Sequence, residues 1–265
     1  MTGEAPRPSK RAAALQIAGA ALVMAGWYLL FAFGGLGNRL EARSPALGIA
    51  AQIGGNALCA LLVVFVGLRV SRQRWKDIGL GRAPLLPTLG WGLLGLLAVY
   101  ISQAVIVGAL LGTGALAWLP ALDVTGHLDD KKRLAEQFNV LPLVSVVPLA
   151  LLVGLYEEVL FRGFLLSRIG VLFDVDPIAA PGPTSPRLRG RVALVVLMTA
   201  LVFGAGHGYQ GGLGVAQTTI AGLGLGALVA MRRSLWPAIV AHACIDIIGL
   251  LAARFLLPLA DKLPT

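Results

Sequence analysis

Residues 139–163 read NVLPLVSVVPLALLVGLYEEVLFRG: 18 uncharged residues, then Glu157 and Glu158, then Arg162 one helical turn on. A helix needs about 20 predominantly apolar residues to cross roughly 30 Å of hydrocarbon, so the stretch reads as a membrane helix. Its second half carries three ionisable groups. Each costs about 2.5–3.5 kcal/mol at bilayer depth on insertion scales, so three together call for a reason.

Composition supports the membrane reading. Of 265 residues 57% are hydrophobic and 13% charged, with a mean hydropathy of +0.81. Soluble domains carry about 25% charged residues, so too little charge is present to cover the helices of a soluble α/β protein. The net charge of +9 comes from clusters: Arg7, Lys10 and Arg11; Arg69 to Arg82; Arg187, Arg189 and Arg191; Arg232 and Arg233. Clusters between apolar runs set orientation by the positive-inside rule, and without aromatic interleaving they give no reason to invoke nucleic acid. Cys59 and Cys244 each lie in an apolar run and read as small packing residues rather than a disulfide or metal pair.

Seven spans follow from the charge-free runs: residues 12–33, 44–68, about 88–111, 142–166, two spans divided from 192–231 at the glycine-rich 204–214, and 235–257. The first is longer than the 7–15 residues of a signal-peptide core, so it reads as a retained anchor. The expected fold is an all-α polytopic transmembrane bundle forming a single integral membrane domain over residues 1–265. Its N-terminus is cytosolic, which puts every basic cluster on one side. An eighth, broken or re-entrant segment around 115–122 is the alternative. Residues 123–138 read as a polar loop with a short surface helix, and 174–191 as an irregular proline-rich loop. Gly222, Gly224 and Gly226 lie in a charge-free span, where small residues let helices approach closely.

Chemistry is confined to a few residues. Glu158 and Arg162 are four apart and share a helix face, so they can pair. Glu157 is rotated about 100° away and is left without a local counter-charge. Phe203 and His207 stand at i and i+4 in the fifth span, His242 and Asp246 in the seventh. The third histidine, His127, falls in the polar loop and reads as solvated. An H-E-x-x-H zinc motif and a G-x-S-x-G elbow are both missing, and Asp246 is the one aspartate inside a span. Glutamate and histidine remain. Straight counting places His207 about 22 Å and His242 about 10 Å from the cytosolic side. For both to reach Glu157, the fifth span must start later, tilt or break near 204–208.

The ordered motifs Glu157-Glu158-x-x-x-Arg162, Phe203-x-x-x-His207 and His242-x-x-x-Asp246 resemble those of the CPBP intramembrane peptidases, the family of the prenyl-protein (CAAX) endopeptidase and the bacterial Abi proteins. The stretch from Asp77 to Arg82 is similar to a segment often seen there, so the resemblance covers a peptidase core of about 70–250. It implies an intramembrane endopeptidase acting on a membrane-associated protein or peptide, lipidated or not. Glu157 and His207 would activate water, His242 and residue 246 would steady the oxyanion, and Glu158 with Arg162 would hold the site. Asp246 replaces the commoner asparagine. An ionised aspartate cannot donate to an oxyanion, so it would be protonated or would orient His242. Glu157, His207 and His242 also make a ligand set that zinc accepts. A non-catalytic relative serving as an immunity or scaffold protein is the second reading. A transporter or proton relay is the third.

Overall fold

The computed structural model describes residues 7–113, 132, 136, 138–178 and 185–255. All regular elements among them are helical, and seven helices are long and apolar enough to cross a membrane. Residues 115–122 and His127 lie outside the described residues, as does most of the polar stretch 123–138.

Helix α1 (Lys10–Ala32) starts where the Ser9 hydroxyl accepts the Ala12 N–H at 3.2 Å, satisfying one of the donors that every helix start leaves over. A short helix α2 (Leu36–Arg43), not expected from the sequence, leads into α3 (Pro45–Val70). A 3-10 turn at Trp75–Ile78 precedes α4 (Leu85–Gly112). The fourth span, Leu143–Leu172, consists of α5 (Val146–Glu158), a π-helical turn at Val159–Leu165 and α6 (Leu166–Leu172). Then come α7 (Pro186–Gly206), α8 (Gly211–Arg232) and α9 (Trp236–Phe255).

Two boundaries differ from the sequence reading by six residues, the others by fewer. The fourth span runs to Leu172 instead of 166 because Arg168, fully buried, gives its Nε to Gln16 Oε1 of α1 at 2.5 Å and lies over the Phe164 ring. The fifth helix starts at Pro186 rather than 192. Proline's fixed φ suits a first helical position, and arginines in a first turn extend their charged ends outward without stopping the helix.

The glycines predicted to pack helices do so. A Cβ at Gly222 would meet Ala200 of α7 at 3.1 Å, one at Gly226 Val196 at 3.0 Å, and one at Gly224 Val99 of α4 at 2.8 Å. Helix α8 therefore lies between α7 and α4, while α9 packs against α4 and α5.

The depth difficulty disappears once the helix ends are compared. Arg191 Nη1 donates to the Phe173 carbonyl at 3.3 Å. From that level, Glu157 and His207 are each about 24 Å away along antiparallel helices. Helix α9 starts much higher, because Leu235 donates its N–H to Gly79 O at 2.9 Å and packs on Gly163. His242 is then about 10 Å beyond Leu235, and Glu157 about 9 Å beyond Gly163. Helix α7 ends at Gly206, so His207 sits in the break before the 3-10 turn Gly208–Gln210.

Candidate active site

Glu157 and Glu158 close α5 immediately before the π turn. Such turns carry one extra residue per turn and occur often at functional sites. Glu158 Oε1 accepts from Arg162 Nη1 at 2.8 Å, with Glu158 0% and Arg162 1% exposed. The same oxygen accepts from His242 Nδ1 at 2.7 Å. The guanidinium of Arg162 lies 4.0 Å above the Phe203 ring, and Phe203 meets both imidazoles, with centroids at 4.6 Å to His207 and 5.9 Å to His242. Residues of three spans are thus gathered on one buried ion pair.

Glu157 faces the other way. Its Oε1 accepts the Tyr156 hydroxyl at 3.1 Å. Its Oε2 has no hydrogen-bond partner among the described residues and stands 4.0 Å from His207 Nε2 and 3.7 Å from His242 Nε2. Those distances exceed a direct hydrogen bond but are within reach through one water. His207 Nδ1 lies 2.8 Å from the Phe203 carbonyl, an oxygen that only accepts, so Nδ1 carries the proton there. The neutral ring then presents an Nε2 lone pair to Glu157. His242, donating from Nδ1 to Glu158, turns its Nε2 the same way. Two ring nitrogens and a carboxylate oxygen therefore lie close together, and a water that reaches them can donate to the carboxylate and to one ring nitrogen.

The sequence-derived candidates divide as follows. Glu157, His207 and His242 converge, and Glu158 pairs with Arg162 as the spacing implied. Asp246 Oδ2 is 3.7 Å from His242 Nε2, too far for a hydrogen bond. The partner that fixes the His242 ring is Glu158, 84 positions away in sequence. Of the two roles expected for Asp246, orienting the ring through a hydrogen bond is taken by Glu158. Tyr156, the hydrogen-bond donor to Glu157, escaped the sequence reading, although its place beside Glu157 was the available signal.

The three side chains are spaced a few tenths of an ångström more widely than the ligands of a bound zinc. Among the described residues no three His, Cys, Asp or Glu side chains are arranged to hold a metal ion. Two ligands of a tetrahedral zinc with bonds of about 2.0–2.1 Å lie about 3.4 Å apart, closer than the separations here.

Residues 139–248 match the family model described as Type II CAAX prenyl endopeptidase Rce1-like. The match covers less than half of the chain. The match spans Glu157 through Asp246, so every residue of the cluster belongs to it, and it is consistent with a CPBP family intramembrane peptidase. It supports a CAAX-type intramembrane endopeptidase in general. The matched stretch begins at Asn139, just before the fourth span, and ends within α9. No curated protein and no solved structure matches the chain.

Proposed function

We propose that the protein hydrolyses a peptide bond of a membrane-associated protein or peptide, with Glu157 as the base that takes a proton from water. The observation that carries this reading is Glu157 Oε2, buried and without a hydrogen-bond partner among the described residues, held 4.0 and 3.7 Å from two imidazole nitrogens. A water among these three atoms donates a hydrogen to Glu157 while its oxygen attacks the scissile carbonyl. His207, fixed by the Phe203 carbonyl, aligns that water. His242 as an imidazolium donates from Nδ1 to Glu158 and from Nε2 toward the developing oxyanion. A preorganised donor of that kind is worth about 2.7–4 kcal/mol in acyl transfer. Glu158 and Arg162 position His242 and do not touch the reacting atoms. Asp246 is 27% exposed on its side chain, 3.7 Å from His242 Nε2.

The test is cleavage of lipidated and unlipidated peptides by purified protein, with and without chelator. Glu157→Gln is expected to lower the activity by about 1,000-fold with the Tm nearly unchanged, since the amide keeps the Tyr156 contact and the buried Glu158–Arg162 pair is untouched. Retained cleavage in the Glu157→Gln variant overturns the assignment, and loss of wild-type activity with chelator transfers water activation to a metal.

A further inference from the structure

At the end of the bundle that carries Arg232, an open cavity of about 270 Å³ lies between two turns. One turn follows α3 and the other joins α8 to α9. Lys76, Arg82, Arg232 and Arg233 converge on it, together with Trp91 and Ser234. Among the described residues no acidic side chain lines it. Asp77, the acid nearest in sequence, uses Oδ2 to accept the Arg74 N–H at 2.8 Å. Among the described residues none of the four cations takes part in an ion pair.

The positive-inside rule accounts for basic residues on one side of a membrane but not for four of them around a single cavity. Here the backbone imposes the convergence. Gly79 O accepts the Leu235 N–H at 2.9 Å and Gly81 O accepts Trp236 Nε1 at 2.7 Å, which locks the two turns together. Arg233 ends α8 with φ +53°, a left-handed conformation that residues with a side chain rarely adopt. Arg232 is stacked 4.4 Å over the Trp91 ring. The Ser234 hydroxyl is buried with no hydrogen-bond partner among the described residues. Just beside the cavity, Leu85 and Leu86 at the start of α4 are 70% and 80% exposed.

We propose that this cavity binds the phosphate of an anionic phospholipid headgroup. A phosphodiester supplies the negative charge that the four cations lack, and acceptor oxygens for the guanidinium groups and the Ser234 hydroxyl. Basic pockets between membrane helices take such headgroups, and the exposed leucines offer a surface for the acyl chains. The site lies apart from the Glu157 cluster and does not depend on peptidase chemistry.

Native mass spectrometry of the full chain in zwitterionic detergent tests the proposal, with phosphatidylglycerol, phosphatidylcholine and inorganic phosphate as separate probes. Phosphatidylglycerol should be retained in preference to phosphatidylcholine. At about fivefold per charge, R82Q/R233Q should bind it about 25-fold more weakly, while R187Q/R189Q, which removes two exposed arginines elsewhere, should bind it as wild type does. Equal loss in both variants means a diffuse field and overturns the site. Unchanged binding in R82Q/R233Q overturns it too. If the double variant is not monodisperse, K76Q alone decides by the presence or absence of its fivefold loss. Displacement of the lipid by millimolar phosphate overturns the lipid assignment in favour of a free-anion site.

Discussion

Glu158 has more partners than its sequence neighbourhood offers. Arg162, four residues on, was legible from helical spacing alone. His242 was not, because no pattern connects positions 84 apart, and neither was the cation–π seat of Arg162 on Phe203. The same limit applies to Tyr156: adjacency to Glu157 is visible, but the direction of a hydroxyl is not. Removing one member of a buried, hydrogen-bonded ion pair costs about 3–5 kcal/mol, because the remaining charge is left uncompensated. Glu158→Gln is therefore expected to lower stability by about that amount, read as a marked fall in Tm in detergent. Glu157→Gln should not. The two neighbouring glutamates thereby separate by what is lost, fold in one case and cleavage in the other. Asp246→Asn should leave the His242 ring in place and retain cleavage, since the ring is held through Nδ1 by Glu158.

Among elements, charge-free runs revealed the seven spans found among the described residues, and the two largest errors share one physical cause. Arginines were read as helix ends. Arg168 is instead buried by a partner on α1, and Arg187 and Arg189 are exposed within the first turn of α7. The π turn at Val159–Leu165 has no sequence signature of its own. The break at His207 did, in the glycines around it: Gly211, with φ +74°, opens α8 in a conformation that costs glycine little. Helix contact at Gly222 is tight enough for a sharp expectation. A Cβ there already meets Ala200 Cα at 3.1 Å and Arg162 Nη2 at 3.3 Å. Gly222→Val should cost about 1–3 kcal/mol of stability and, by displacing Arg162, lower kcat as well. Gly224→Val, directed at α4, should cost stability with a smaller effect on kcat.

For the whole molecule, orientation is the expectation that most needs measurement. Reporter fusions or cysteine labelling should place the N-terminus and the loop holding Lys76 on the cytosolic side; the reverse result would reject the charge argument. The first helix is tied to the loop after α6 by Lys10 and Asp174, whose Nζ and Oδ2 are 2.8 Å apart. That hydrogen bond holds the Asp174 carboxyl below its usual 3.8. A carboxyl depressed on folding stabilises the fold above its unfolded pKa, and this contribution fades as pH falls through the folded value. Below about pH 4 the Tm of wild type should therefore decline more than that of Asp174→Asn, by a small margin because the pair is exposed. A wider consequence follows from the ion pair that joins three spans. Glu158 fixes α9 through His242, and Arg162 fixes α7 through Phe203, so none of these helices can drift or be replaced alone without disturbing the others. Chimaeras with related chains should work when the three are exchanged as a set and fail when one is exchanged singly, which makes the trio the unit of inheritance.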